Sequence, residues 1–282
     1  LIIEKLPFFA LTIVSSMVTF LAQRAGNAVA TTDAIPPVLR LQNAGISCVQ
    51  YIWKFIWPSD LSPLYSYNLK TDVMLAVASG AALLIVTMFV WIARKSRPWL
   101  LAGWLWYVGM LVPVIGIVQV GSQALADRYT YLPLIGLCLG VGWEASRRLA
   151  PGRLPGFFLP ALALIIPALL LWATHRQLPY WQNTFTLFSR ALELEPRNLK
   201  ALYVLGAWHS DKGEAQQARL YLDRALEIKP DYPEALGTLA SMMENEGRYK
   251  EAAEYYRSTL RAAPNQDEAL NNFAWLMVSC PD

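Results

Sequence analysis

Apolar residues run in long blocks through the first 176 positions, then give way to a shorter rhythm in which apolar and polar positions alternate at helical spacing. A helix needs roughly 17 to 25 residues to cross a hydrocarbon core. Five blocks approach that length, 7–22, 73–93, 99–120, 130–145 and 157–173, and each predicts a spanning helix. The first is diluted by Thr12, Ser15, Ser16 and Thr19, whose hydroxyls would bond across helix interfaces. Between the first two blocks, 35–57 mixes apolar residues with Arg40, Gln42, Asn43, Gln50 and Lys54, which predicts a helix lying in the membrane interface. A sixth full span there would put both basic loops outside, and is rejected for that reason.

Those basic loops set the orientation. Arg94, Lys95 and Arg97 lie between the second and third blocks, and Arg147, Arg148 and Arg153 between the fourth and fifth. Lys and Arg are retained on the cytoplasmic side. The connection 121–129 and everything after the fifth block are therefore expected on the extracytoplasmic side. Charge divides at the same boundary: 13 Lys and Arg against 6 Asp and Glu up to residue 176, then 11 against 15 from residue 177 onward. Eight of the eleven tryptophans fall in the first part, a loading suited to lipid–water interfaces. A single soluble domain, a disordered chain and a nucleic-acid-coating protein are all excluded. The expected domains are 1–176, a polytopic helical membrane domain, and 177–282, outside it.

The second part repeats. Pro196, Pro230 and Pro264 stand 34 residues apart, and Gly213 and Gly247, Ala218 and Ala252, Ala201, Ala235 and Ala269 keep the same step. Small residues at fixed places and a closing proline in a 34-residue period resemble the tetratricopeptide repeat, two antiparallel helices per unit. The complete units read as 199–232 and 233–266, after a partial unit whose second helix spans about 180–194 and before the start of another at 267–278. Gly206, Ala240, Ala274, Ala218, Ala225 and Ala252 let helices approach, and leucines such as Leu202, Leu205, Leu222 and Leu239 fill the space between. The whole chain is thus expected to be all-α, a polytopic membrane domain followed by a helical-hairpin solenoid. Groove-facing candidates are Lys200, Tyr203, Asp211, Glu234, Ser241, Glu244, Asn271 and Trp275, with Ala207, Gly237 and Glu268 among them.

Cys48, Cys138 and Cys280 are too few and scattered for a disulfide framework or a zinc site, and Cys138, inside an apolar run, reads as a small buried hydrophobe. His175 and His209 are far apart, and His209 takes a repeat-packing position, so no metal site is expected. No catalytic triad, phosphate loop or dinucleotide fingerprint is present. The polar cluster set in membrane sequence is Asp127, Arg128, Tyr129, Thr130 and Tyr131, at the extracytoplasmic mouth of the fourth block. An arginine beside a helix N-terminus suits a phosphate, because its fork of donors and the free backbone N–H groups can point at the same oxygens. Asp127 would orient the guanidinium, and Tyr129 and Tyr131 would pack a lipid or sugar face. The competing reading is an Asp127–Arg128 surface ion pair with anchoring tyrosines. Gln23 and Arg24, at the outer end of the first block, are a second pair for the same duty or a snorkelling anchor.

The segments LPFFALTIVSSMVTFLAQRAGNAV, LRLQNAGISCVQYIWKFIWPSDLSPLYSY and ADRYTYLPLIGL, followed by the repeats, resemble bacterial relatives of the transmembrane and tetratricopeptide repeat-containing O-mannosyltransferases, within the GT-C glycosyltransferases. The resemblance implies transfer of a sugar from a polyprenyl-phosphate donor to a hydroxyl of a protein acceptor, without a cofactor. It also implies a multi-pass protein of the bacterial inner membrane, with the repeats outside and Arg128 on the lipid phosphate. In that fold the catalytic carboxylate lies in the first extracytoplasmic loop, which is expected to precede Leu1 in a longer protein. The other reading is a membrane-anchored repeat scaffold for an envelope complex, without catalysis.

Overall fold

The computed structural model describes residues 2–25, 35–67, 72–117, 123–148 and 158–279. It divides into two compact units, Leu1–Leu61 with Tyr65–Ile165, and Ser62–Leu64 with Ile166–Asp282.

The first unit is built of helices α1 (Ile2–Ala25), α2 (Pro37–Ile56), α3 (Val73–Ala93), α4 (Pro98–Leu111) and α5 (Tyr131–Arg148), and holds the start of α6 (Phe158–Gln177). Asp72 caps α3 by accepting from the Met74 and Leu75 amides, satisfying two N–H groups that the first turn leaves open. α4 and α5 cross at glycine: a Cβ on Gly136 would stand 2.6 Å from the Gly103 carbonyl oxygen and 2.8 Å from Trp106 Cβ. Trp104 and Tyr107 of α4 bury their rings, Trp99 is half-buried and Trp106 exposed, and all four tie off their polar tips. Trp104 donates to Thr87 of α3, Trp106 to the Leu132 carbonyl, Trp99 to Glu144 of α5, and Tyr107 to the Cys48 carbonyl of α2. These rings therefore bind helices together as well as suiting an interface.

The all-α expectation needs one amendment. Two short strands, β1 (Tyr65–Ser66) and β2 (Gln123–Leu125), pair antiparallel, Tyr65 opposite Leu125 and Ser66 opposite Gln123. Among the described residues two helices are long and apolar enough to cross a membrane, Val73–Ala93 and Pro160–Trp181. The block 99–120 does not form one helix: α4 stops at Leu111, and the chain turns through Pro113 and Gly116, whose φ of 88° is left-handed. Fourteen helical residues reach about 21 Å, short of the core. α5 starts its last turns with Glu144 and ends on Arg147 and Arg148, where Glu144 pairs with Arg97 and Arg148. Cys138 is exposed, against expectation, because Pro133, Gly136 and Gly140 form the buried face of α5.

The second unit continues through a 3-10 turn (Leu178–Trp181) into α7 (Thr184–Leu194), α8 (Leu199–Asp211), α9 (Ala215–Ile228), α10 (Pro233–Asn245), α11 (Tyr249–Ala262) and α12 (Asp267–Ser279). α7 begins later than the expected 180 because Asn183 and Thr186 form a reciprocal cap. Gly213 and Gly247, both at φ 74°, make the turns inside each hairpin. The core joins Leu202, Ala218, Leu222, Ala225, Leu239, Ala240, Ala252 and Tyr256. His209 is buried in packing, stacked on Tyr221 and 2.6 Å from Glu214. Ala274 is exposed, unlike Ala240 one period earlier, since no helix follows α12 among the described residues.

Candidate functional site

The face of α2 that turns inward carries Arg40, Ala44, Ser47 and Tyr51, spaced so that they share one side of the helix. This face holds the segment leading into Asp127. The Tyr51 hydroxyl accepts from the Ala126 amide at 3.0 Å, and Asn43 Nδ2 donates to the Ala124 carbonyl at 2.9 Å. The β1–β2 pairing brings Tyr65 alongside, and its hydroxyl donates to Asp127 Oδ2 at 2.8 Å. Lys54 Nζ lies 4.7 Å from the Tyr65 ring centre and donates to the Asp60 carbonyl at 3.0 Å. Burial holds the Asp127 carboxyl above the usual carboxylate range, opposed by the Tyr65 hydrogen bond and then by the Lys54 charge. Burial likewise lowers Lys54, against the pull of Asp127 and Asp60.

Asp127 thus faces inward and Arg128 outward. The expected pairing of the two, as orienting contact or as surface ion pair, does not form: Asp127 takes Tyr65, and Arg128 Nη2 donates to Gln123 Oε1 at 3.2 Å. Successive residues of the 3-10 turn Asp127–Thr130 point in different directions, which is why neighbours in sequence part company. Gln123 Nε2 donates to the Tyr129 hydroxyl at 2.8 Å, and the Arg128 guanidinium stands 5.2 Å from the Tyr129 ring centre. Arg128 is therefore exposed, aimed by a glutamine and an aromatic face, directly ahead of α5. Tyr131 is 77% exposed and joins none of this. The Gln23 and Arg24 side chains lie outside the described residues. Sequence reasoning passed over Tyr51, Lys54, Tyr65 and Gln123; the clustering of two tyrosines and a lysine in one resemblance-bearing segment was the available signal.

In the repeat unit a groove of about 490 Å³ runs along α8, α10 and α12. Its lining includes the expected Tyr203, Asp211, Glu234 and Ser241, along with Ala207, Gly237 and Glu268. Lys200 stays at the rim, its Nζ 4.9 Å from the Tyr203 ring centre, and Glu244 is taken by the Tyr256 hydroxyl at 2.8 Å. Asn271 and Trp275 are exposed and outside the groove. They hold, one period on, the places of Gly237 and Ser241, which face the next unit's first helix; α12 has no such neighbour among the described residues. Asn272 lines the groove instead. No group of three or more His, Cys, Asp or Glu among the described residues could hold a metal ion.

Residues 199–232 and 233–266 each match the Tetratricopeptide repeat family, the two units that the 34-residue period marks out. The chain is a repeat protein over that stretch. It is also 26% identical over 152 residues to Protein O-mannosyl-transferase TMTC1 of Mus musculus. That match covers 54% of this chain and 16% of the mouse protein, so the chain spans a small part of the relative. The likeness is distant and partial, and it is to a glycosyltransferase.

Proposed function

We propose that the chain is part of a multi-pass membrane glycosyltransferase that moves a sugar from a polyprenyl-phosphate donor to a hydroxyl of a protein acceptor, with its repeat array holding the acceptor. One observation carries this reading: segments more than sixty residues apart close into a platform that leaves the Arg128 guanidinium outward beside the Tyr129 ring. The resemblance rests on these same segments, and the distant match to an O-mannosyl-transferase supports it. The apolar helices α3 and α6 support the membrane setting. In the inner membrane of a bacterium, platform and array would both face the extracytoplasmic side.

In the reaction, the acceptor hydroxyl oxygen attacks the anomeric carbon, and the bond from that carbon to the phosphate oxygen breaks. The polyprenyl phosphate leaves with the electron pair, and the hydroxyl proton passes to a carboxylate on a loop that the resemblance places ahead of Leu1. Arg128 steadies the charge growing on the departing phosphate. Asp127 does not take the proton; bonded to Tyr65, it fixes the turn that aims Arg128. Gln123 and Tyr129 limit the directions that the guanidinium can take.

The test is sugar transfer from a radiolabelled polyprenyl-phosphate donor by the full-length protein. Arg128→Ala is expected to lower turnover at least a hundredfold with membrane insertion intact, as removal of a positioned charge-stabilising donor does. Arg128→Lys should recover part of it, keeping the charge without the fork. Full activity in Arg128→Ala would take Arg128 out of the site. The scaffold reading draws on the same contacts, since Gln123 and Tyr129 also suit an anchoring arginine; it expects no transfer from any variant.

A further inference from the structure

We propose that the concave face of the repeat array is a receptor for a cationic peptide segment, a lysine- or arginine-bearing stretch laid across α8, α10 and α12. The proposal rests on the reading of the array as the acceptor-holding arm and narrows the chemistry of what it holds. The groove, about 490 Å³, is lined by Asp211, Glu234 and Glu268, one carboxylate from each of the three helices, and by no lysine or arginine. None of the three carboxylates enters an ion pair among the described residues. The Tyr203 hydroxyl in the same lining is held above its ordinary range by burial and then by Glu234 and Glu268, against a hydrogen bond with Thr238, with Asp211 adding the least. Three helices each bring a carboxylate to the lining of one groove.

Helix electrostatics account for only part of the pattern. Glu234 and Glu268 stand in first turns, where a negative charge is locally favourable. Asp211 ends α8, where the helix dipole disfavours it, so its presence has no such local reason. A second observation points the same way. Gln266, on the groove lining, has its side-chain carbonyl oxygen buried with no hydrogen-bond donor. A buried acceptor without a donor is costly, and turning the Gln266 amide toward the groove would let a ligand rich in donors relieve it. Lysine ammonium and arginine guanidinium groups bring only donors. An acidic or phosphorylated peptide would meet three carboxylates in the lining, with Lys200 at the rim as a single nearby cation against them.

The experiment is fluorescence anisotropy with the intact chain in detergent. The probes are three labelled decapeptides of alternating glycine and serine that carry lysine, glutamine or glutamate at the same two positions. The lysine peptide is expected to bind at least about tenfold more tightly than the glutamine peptide and to lose affinity as salt rises. The glutamate peptide should bind most weakly. Glu234→Gln with Glu268→Gln should lose at least tenfold for the lysine peptide at unchanged helicity. Should that pair unfold the array, the exposed Asp211→Asn serves instead, with a smaller loss in the same direction. Equal affinity for the lysine and glutamine peptides would overturn this proposal and leave the acceptor arm standing. Binding of no peptide at all would overturn both. Either result is separate from sugar transfer, which Arg128→Ala reads.

Discussion

The two units solve helix packing with the same device and meet their surroundings in opposite ways. In the first, Gly136 of α5 sits against the backbone of Gly103 and against Trp106 Cβ. In the second, Gly206 of α8 sits against the Cγ and Cδ2 of Leu222. One wall joins main chain to the root of a tryptophan; the other is chiefly the Leu222 side chain, with the Ala218 carbonyl oxygen behind it at 3.4 Å. Outside, α3 shows Leu84, Ile85, Met88, Phe89 and Ile92 more than half exposed, whereas α9 exposes Gln216, Gln217, Asp223 and Glu227 around a single Leu220. Small residues at crossings therefore say little about the solvent; the outer face carries that information.

The contrast can be broken at the outer face first. In the membrane reading, Leu84→Lys places a charge near the middle of a span and should cost about 3 kcal/mol of insertion, read by the fraction integrated into membranes. Leu220→Lys, on a water-facing helix, should change stability by no more than about 0.5 kcal/mol. Equal effects at the two sites would erase the distinction between the units.

Glycine substitutions sharpen the inner comparison. Gly136→Ala meets backbone that cannot yield and should cost about 3 kcal/mol, followed by thermal unfolding in detergent. Gly206→Ala meets the Leu222 side chain, which can shift more readily than main chain, and also gains helix propensity, for a net loss of about 1 kcal/mol. A Gly206→Ala loss as large as that of Gly136→Ala would show the Leu222 wall to be as rigid as main chain.

A further effect lies at the platform. Tyr65→Phe removes the hydrogen bond that lowers Asp127, so the already raised carboxyl should titrate higher still, read from its infrared C=O band against Asp127→Asn. A carboxyl raised by folding favours the folded state while protonated, below the ordinary carboxylate range, and that contribution is lost as pH rises through the folded value. Tyr65→Phe should extend this window upward and cost about 1 kcal/mol at neutral pH. A downward shift would contradict the assignment of Tyr65 as donor to Asp127.

The repeat unit was legible almost residue by residue because each helix packs on the next in sequence, so period and packing carry the same information. α8 to α11 follow the 34-residue step, and Gly206 and Leu222 meet as their spacing implies. The groove departs from expectation at Lys200 and Glu244, which are not in its lining, and at α12, where Asn271 and Trp275 keep their phase with no following helix among the described residues. The first unit was less legible. Apolarity does not separate helix from turn, so the stretch after Leu111 read as span while Pro113 and Gly116 bend the chain. The Tyr65–Asp127 contact joins positions 62 residues apart, with no local pattern to announce it.

The account depends most on Arg128 and the repeat array sharing one aqueous compartment. Arg128→Cys and Gln217→Cys, each in the full-length protein with Cys48, Cys138 and Cys280 replaced, can be probed with a membrane-impermeant maleimide on intact cells. Both are expected to label without permeabilisation. Labelling of one from outside and the other only after the membrane is opened would contradict the account, because donor phosphate and protein acceptor could then not meet.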